Sequence, residues 1–199
     1  LSVSRHRPQL MLRVNRKQAS QAQVAHAFDT AGIDTVKVGD HALALSGSFV
    51  VDSLPGFSEG WWSVQDWSAQ QAAALLELQD HHRVLDACAA PGGKTAHILE
   101  MADVELTAID HDEARLQRVK DNLTRLKLMS SRVRLQVADA TDVASDGGGQ
   151  LYDRILADVP CTASGVVRRH PDIAWLRRAS DLDQTVKLQA QILDALWQQ

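Results

Sequence analysis

The sequence predicts an α/β fold: a parallel sheet covered by helices on both faces, preceded by a small α+β unit. The first observation behind this prediction is that, from residue 83 onward, short apolar segments alternate with longer amphipathic ones. This alternation is typical of β-α-β units, whose right-handed crossovers bring all strand carboxyl ends to one edge of the sheet. The second observation is a glycine-rich turn, Pro91 to Gly93, between the first such strand and its helix.

A shorter unit with a different pattern comes first. Pro55, Gly56 and Gly60 interrupt the chain, so we place a domain boundary between Ser53 and Gly60, with domains at residues 1–58 and 59–199. The predicted elements of the first unit are a strand at Leu10 to Asn15, a helix at Ser20 to Ala31 ended by Gly32, and a hairpin over Thr35 to Leu45 that turns at Gly39-Asp40.

The main unit contains the repeated strand and helix pattern. Its strands are predicted at Arg83 to Ala87, Glu105 to Ile109, Val133 to Val137 and Asp153 to Ala157. Its helices are predicted from the glycine-rich turn through Leu99, around the apolar face Leu116, Val119, Leu123 and Leu126, and over Asp181 to Trp197 with Leu182, Val186, Leu193 and Leu196 on one side. In such a sheet, ligands bind at the carboxyl edge of the strands.

The composition is that of a globular protein, with 45% hydrophobic and 23% charged residues and no apolar run of membrane-spanning length. The chain begins with Leu1 and shows no secretory signal, so the cytoplasm is the expected location. Cys88 and Cys161 lie in predicted loops, and the eight histidines lack metal-ligand spacing. We therefore expect neither a disulfide nor a metal site.

The formal net charge of −4 argues against a general nucleic-acid-coating protein, although basic residues form two local groups. The first group comprises Arg5, His6, Arg7, Arg13, Arg16 and Lys17, and the second comprises Arg168, Arg169, His170, Arg177 and Arg178. On charge alone, a solvated surface and an RNA contact explain each group equally well. Trp61, Trp62 and Trp67 are interpreted as packing residues rather than as stacking platforms for bases.

Four features lie at the predicted carboxyl edge. The run Asp86 to Thr95 (DACAAPGGKT) has small residues that let a ligand approach the backbone and a helix start that offers free N–H groups. Asp110 ends the next strand, 110 − 92 = 18 residues after the first glycine of that run, where a carboxylate can accept hydrogen bonds from ribose hydroxyls. Asp139 is suited to an adenine amino group or to a plain turn. Asp158 and Cys161 place a carboxylate and a thiol in one proline-stiffened loop.

A phosphate-binding loop is the competing interpretation of the first feature. Cys88 to Thr95 matches the pattern G-x-x-x-x-G-K-[ST] at every position except the first, and Arg154 to Asp158 resembles the strand and acid that hold magnesium in nucleotide hydrolases. Against this, the Cys88 side chain stands where such a loop turns on glycine, and Asp110 and Cys161 would have no role. A nucleotide hydrolase remains an alternative function at this point.

Four segments in the same order resemble the RNA (cytosine-5) methyltransferase family, in particular its RsmB/Fmu/Sun type, which acts on bacterial 16S ribosomal RNA. The segments are WWSVQDWSAQ, CAAPGGKT, LTAIDHDEARL and ADVPCTASGVVRRHPDIAWLRR, and the resemblance covers about Leu10 to Trp197. It implies a Rossmann-like class I methyltransferase core that uses S-adenosyl-L-methionine, an RNA substrate, no membrane, and a monomer in the full-length form. The first unit then resembles an RNA-recognition-like subdomain.

The resemblance also implies roles for individual residues. Asp158 is expected to assist at ring nitrogen 3 of cytosine while a cysteine thiolate adds to carbon 6. The S-adenosylmethionine site would comprise Cys88, Ala89, Ala90, Pro91, Gly92, Gly93, Lys94, Asp110, Asp139 and Asp158. RNA phosphates would contact Arg168, Arg169 and His170. Gln65, Asp66, Ser68 and Gln70 would support the cofactor site from behind.

The attacking cysteine is where this chain departs from the family. RNA enzymes of this family attack with a cysteine in a later Thr-Cys-Ser motif and use the Pro-Cys cysteine for product release, whereas DNA cytosine methyltransferases attack with the Pro-Cys cysteine. No Thr-Cys-Ser follows Cys161 before Gln199. We therefore expect an inactive fragment, incomplete at its C-terminal end and with an uncovered strand edge. A catalytically inactive RNA-binding fragment is a further alternative.

Overall fold

The computed structural model describes residues 8–143 and 151–199. Arg5, His6 and Arg7 of the first basic group and the glycines at 147–149 lie outside the described residues. Within the described ranges the chain forms two four-stranded sheets with separate hydrophobic clusters. No helix in these two ranges is both long enough and apolar enough to cross a membrane.

The first sheet is antiparallel and confirms the predicted strand, helix and hairpin. Its strands are β1 (Leu10–Val14), β2 (Thr35–Val38), β3 (Ala42–Leu45) and β4 (Trp62–Val64), in the order β2-β3-β1-β4. Helix α1 (Gln21–Thr30) packs on it with Val24 and Phe28 buried. Ser20 caps this helix through a reciprocal pair of hydrogen bonds with Gln23, which fixes where the helix begins.

Strand β4 was not predicted, because three residues are too few to show a period of two. Its pairing with β1, Leu12 opposite Val64 and Val14 opposite Trp62, brings a segment beyond residue 58 into the first sheet. Trp62 is fully buried, contacts Phe28 and Phe57, and donates from Nε1 to the Pro55 carbonyl at 2.7 Å. The packing interpretation is confirmed for this tryptophan, while the division of the chain at residue 58 stays a prediction.

The second sheet is parallel, as predicted. Its strands are β5 (Arg83–Ala87), β6 (Glu105–Asp110), β7 (Val133–Val137) and β8 (Arg154–Ala157), in the order β7-β6-β5-β8. Ala87 pairs with both Ile109 and Ala157, so the carboxyl ends of β5, β6 and β8 are level. Loops that follow these strands therefore meet at one edge.

Helices cover both faces of the second sheet. They are α2 (Trp67–Ala74), α3 (Gly93–Met101), α4 (Glu113–Arg125), α5 (Ile173–Leu176) and α6 (Ala179–Leu196). Leu116, Val119, Leu123 and Leu126 are all buried in one cluster with β5 and β6, which confirms the predicted apolar face around α4. On the opposite face, Ile192 and Leu196 of α6 pack against Leu85, Ala87 and Ile109.

The predicted apolar side of α6 is mostly exposed. Leu196 is buried, but Leu182, Val186 and Leu193 are 54–58% exposed, and Ile192 takes the second buried position. The side chains that pack on the sheet, Ile192 and Leu196, lie in the last turns of the helix, and Leu193 in the same turns points away from it. Periodicity identifies an apolar stripe but does not show which part of the stripe meets a neighbour.

A buried polar cluster joins the two sheets. Arg13 of β1 is fully buried and binds Glu100 of α3 through two nitrogens, Nε to Oε2 at 2.9 Å and Nη2 to Oε1 at 2.8 Å. Arg13 Nη1 also donates to the Gly93 carbonyl at 2.8 Å and to the Gln65 side chain. The assignment of Arg13 to a basic surface is therefore wrong, because its charge is neutralised inside the protein.

Candidate functional site

A cleft of about 200 Å³ opens at the carboxyl edge of the second sheet. Residues from the first sheet, from α2 and from the loops after β5 and β8 surround it. The lining residues are Val64, Gln65, Ala69, Asp86, Ala89, Ala90, Pro91, Gly93, Lys94 and Asp158. The predicted site residues Ala89 to Pro91, Gly93, Lys94 and Asp158 therefore meet in one place.

The loop between β5 and α3 is a tight backbone turn. Cys88 and Gly92 have positive φ values of 61° and 93°. The Ala89 N–H donates to the Ile109 carbonyl at 2.9 Å, and the Gly92 N–H donates to the Ala89 carbonyl at 2.8 Å. A Cβ at Gly92 would lie 3.0 Å from a methyl group of Val119, so α4 can approach only because this residue is glycine.

Asp110 supports that loop from behind and does not line the cleft. Its Oδ2 accepts from the Ala90 N–H at 3.1 Å, and its Oδ1 accepts from the Asp112 N–H at 3.2 Å. Arg115 and His111 lie 3.5 and 3.4 Å from the two oxygens, and the Asp110 side chain has no exposed surface. A ligand that reached this carboxylate would have to displace Arg115 or His111.

Asp86, at the end of β5, is a buried acid that faces the cleft. Its Oδ2 accepts from the Thr95 hydroxyl at 2.6 Å, whereas its Oδ1 is buried with no hydrogen-bond partner among the described residues. Burial raises the pKa of Asp86 to about 7, against the lowering effect of the Thr95 hydrogen bond. This acid was quoted within the glycine-rich run but was not predicted as a site residue.

Lys94 and Asp158 form an ion pair across the cleft. Lys94 Nζ lies 2.6 Å from Asp158 Oδ2, and the two side chains are 22% and 55% exposed. The pair joins the start of α3 to the loop after β8. In this arrangement Lys94 and Thr95 both contact aspartates rather than an open phosphate cradle, which disfavours the nucleotide-hydrolase alternative.

The two cysteines occupy different environments, and neither lines the cleft. Cys88 is half-buried, and burial followed by the charge of Asp110 raises the pKa of its thiol to about 11. A thiol with this pKa is protonated at neutral pH and is a poor nucleophile. Cys161 is exposed, and its Sγ accepts from the Ala163 N–H at 3.3 Å.

Asp139 follows β7 and stays outside the cleft lining. Its Oδ1 accepts from the backbone N–H and the hydroxyl of Thr141, both at 2.8 Å. The backbone bond and then the hydroxyl bond lower the pKa of Asp139. The neighbouring Ala138 N–H donates to the Asp110 carbonyl at 3.1 Å, so Asp139 lies at the same sheet edge as Asp110.

The second basic group is exposed and adjoins the cleft. Arg169 forms an ion pair with Asp66, the residue that precedes α2. Arg177 Nε donates to the Thr162 carbonyl at 2.7 Å, which ties the start of α6 to the cysteine loop. Arg168 and Arg169 thus present positive charge at the surface, and with His170 they follow Asp158 and Cys161 in one largely exposed segment of the chain.

Sequence reasoning missed that Val64, the last residue of β4, lines this cleft, whereas Gln65 was expected behind the cofactor site. Gln65 forms a wall of the cleft next to Gly93. Its side-chain oxygen accepts from Arg13, and its backbone carbonyl accepts from the Gln70 side chain. Arg13 and Arg115 were equally unforeseen, because long-range pairing leaves no local sequence signal. No group of histidine, cysteine or acidic residues suited to a metal ion occurs within residues 8–143 and 151–199.

Known proteins resemble this chain in both sequence and structure. A family model described as 16S rRNA methyltransferase RsmB/F matches residues 73–199. Ribosomal RNA small subunit methyltransferase B of Vibrio cholerae is 48% identical over 193 residues, which are 96% of this chain and 44% of that protein. The Yersinia enterocolitica protein of the same name is 45% identical over 200 residues, 99% of this chain and 46% of its own. The chain thus spans less than half the length of these relatives.

Solved structures agree with the fold. The crystal structure of PH0851 superposes with a TM-score of 0.93 at 28% identity and covers 99% of this chain and 45% of its own. NSun6 from Pyrococcus horikoshii, crystallised with SFG, has a TM-score of 0.85 at 18% identity, covering 98% of this chain and 74% of its own, and supports the fold alone. Because the family model covers the whole second sheet and more than half of the chain, the chain belongs to the RsmB/F family of 16S rRNA methyltransferases.

Proposed function

We propose that this chain carries the S-adenosylmethionine-binding core of an enzyme that forms 5-methylcytosine in 16S ribosomal RNA. The observation that carries the proposal is the cleft at the carboxyl edge, where Gly93, Lys94, Asp86 and Asp158 meet in a chain of the RsmB/F family. Membership in a methyltransferase family supports S-adenosylmethionine as the methyl donor.

The residues of the cleft fit a cofactor that carries an amino acid and a nucleoside. Gly93 has no side chain to fill the space beside Gln65, and the first turn of α3 directs backbone N–H groups toward a carboxylate. The Asp86 Oδ1 without a partner is an acceptor for an ammonium group. When bound, S-adenosylmethionine supplies the methyl group.

The nucleoside part would bind at the neighbouring strands. Asp110 would accept from the ribose hydroxyls after Arg115 and His111 move aside, since these two side chains now cover it. Asp139 would accept from the adenine amino group through Oδ2, because both bonds from Thr141 use Oδ1. Cys88, Ala89, Ala90, Pro91 and Gly92 would shape the turn that supports the cofactor rather than donate to it.

Asp158 is proposed to act on the target cytosine. Carbon 5 of cytosine becomes nucleophilic only after a thiolate adds to carbon 6, and an acid at ring nitrogen 3 assists this addition. Asp158 would provide this assistance from the cleft, where its carboxyl group lies 2.6 Å from Lys94 Nζ. The exposed Cys161 is available for attack on carbon 6 or for release of the product.

RNA would reach the cleft along the second basic group, with Arg168, Arg169 and His170 at its phosphates. In this proposal residues 1–58 act as an RNA-recognition-like domain. The whole enzyme works as a monomer in the cytoplasm, where ribosomal RNA is assembled into subunits.

Calorimetric titration of the protein that contains this chain tests the cofactor assignment. We expect binding of S-adenosylmethionine and no heat from ATP with magnesium. Asp110→Asn should weaken cofactor binding at least about tenfold, which corresponds to about 1.4 kcal/mol. Asp112→Asn is the matched control, because Asp112 caps α4 through the Arg115 N–H and asparagine caps equally well. Binding of ATP without a response to S-adenosylmethionine would overturn the proposal.

A further inference from the structure

A second cavity of about 390 Å³ lies beside the cleft, at the junction of the first sheet and the loop that follows Cys161. One wall comes from the chain before β1 and from the loop after β3, including Gln9, Ser48 and Phe49. The other wall comes from Arg168 and Arg169. Neither the cofactor nor the target base needs this space, because Asp158 and Lys94 lie in the cleft and not here.

The cavity and the cleft are neighbours. Val64, the last residue of β4, lines both of them and is 40% exposed. Arg169 reaches from the cavity to Asp66, two residues beyond Val64, and their ion pair holds the basic loop against the start of α2. A strand whose one base entered the cleft would therefore have an adjacent nucleotide at this cavity.

The chemistry of the lining suits a single-stranded nucleotide. Phe49 is half-buried and lies over Gly47, where a Cβ would come within 3.1 Å of the ring. Gly47 has a φ of 136°, so this residue permits both the turn and the close approach of the aromatic ring. An aromatic platform next to arginines is the usual combination in proteins that bind unpaired bases and their phosphates. The cavity volume also falls within the range of ~300–1,000 Å³ that is typical of small-molecule sites.

We propose that this cavity binds the nucleotide adjacent to the target cytosine, with its base on Phe49 and its phosphate at Arg168. Arg169 acts as a positioning residue through Asp66. This inference rests on the proposed function, since it requires an RNA strand that enters the cleft. It assigns to the first sheet a direct part in recognising the substrate, so that both sheets together select the RNA.

The test measures binding of a short single-stranded RNA containing the target cytosine, by fluorescence anisotropy with the protein that contains this chain. Phe49→Ala and Phe49→Leu should each weaken RNA binding about tenfold or more, whereas Phe49→Tyr should bind like the parent because it keeps the aromatic face. Arg168→Ala should weaken binding and reduce the slope of log K against log salt by roughly 0.7, the loss of one phosphate contact. Arg134→Ala is the control, since Arg134 lies on β7 near the amino ends of the strands.

Titration with S-adenosylmethionine separates this inference from the proposed function. Every variant should bind the cofactor like the parent, and equal melting temperatures would show that each is folded. Parent-like RNA affinity in Phe49→Ala would overturn the inference. The inference would also be overturned if the parent bound free ATP and Phe49→Ala weakened that binding without weakening RNA binding. That result would identify a mononucleotide site. Failure of the parent itself to bind S-adenosylmethionine would instead count against the proposed function.

Discussion

Two polar regions of this molecule contain the same kinds of side chain and use them differently. The buried seam (Arg13, Gln65 and Glu100) joins the two sheets, and the Arg13 and Glu100 side chains are 0% and 4% exposed. The rim loop (residues 158–170) carries Asp158, Arg168 and Arg169 at the surface. In the seam, Arg13 and Glu100 pair with each other inside the protein, and Arg13 holds Gln65 in the wall of the cleft. In the rim loop, the charged side chains are exposed and can contact a ligand. A basic residue therefore indicates RNA contact only after its burial is known.

Arg13→Ala should produce the largest loss of stability. It leaves the Glu100 carboxylate buried without its partner, and breaking such a pair costs about 3–5 kcal/mol. Urea unfolding measures the change, with the exposed neighbour Arg16→Ala as the control, expected to stay within about 0.5 kcal/mol. A loss below about 1 kcal/mol for Arg13→Ala would show that the seam does not hold the sheets together.

Gly92→Ala should cost about 1–3 kcal/mol, because the added methyl group meets Val119 and the backbone stays at a φ of 93°. Cofactor affinity should fall as well, since α4 would be pushed away from the turn. Gly165→Ala serves as the matched control, because a Cβ added there would meet no atom within 4 Å and the residue belongs to the rim loop. Equal stability losses in the two variants would contradict the difference between buried turn and exposed loop.

The free energy of unfolding should depend on pH through two buried groups whose pKa values are shifted in opposite directions. Asp86 has a pKa raised by burial to about 7, so its contribution is complete below its unfolded pKa near 3.8 and is lost as the pH rises through 7. His97 has a pKa lowered by burial, and then by the charge of Arg13, to about 3, so its contribution is complete above 6.5 and is lost as the pH falls toward 3. Between about pH 4 and 6.5 the two effects oppose each other.

Substituting one of the two groups at a time should separate their opposite effects on how the free energy of unfolding changes with pH. Asp86→Asn leaves the His97 effect, so stability should rise with pH over this window by up to about 1.4 kcal/mol per pH unit. His97→Gln leaves the Asp86 effect, so stability should fall with pH by a similar amount. Denaturant midpoints measured from about pH 4 to 7 provide the measurement, and parallel curves for both variants would refute the assignment of either buried group.

The smallest effect on stability is expected at the ion pair of Arg169 with Asp66. Exposed pairs of this kind contribute about 0–1 kcal/mol, because solvent screens them and both side chains lose freedom. A double-mutant cycle with Arg169→Ala and Asp66→Ala should therefore give a coupling energy below about 1 kcal/mol, while RNA affinity falls clearly in Arg169→Ala. A coupling energy above about 2 kcal/mol would show that this ion pair has a structural role like that of the seam residues.

Local signals in the sequence were sufficient for most strands and helices of both sheets. The apolar stripe of α4 and the hairpin turn at Gly39 are set by neighbouring residues, and the structure confirms both. The short strand β4, the exposed stripe of α6 and the burial of Arg13 were not predictable in this way. Each of these depends on a contact with a residue distant in the chain, such as Leu12 with Val64.

By itself, the sequence determined the parallel α/β architecture, the glycine-rich turn and the acids at the strand ends, because periodicity and backbone freedom are properties of neighbouring residues. Only the tertiary structure decided which charges face a ligand. Asp110 is covered by Arg115, Asp86 faces the cleft, and Arg13 lies between the sheets, since burial depends on how separate elements pack and no local pattern specifies that packing.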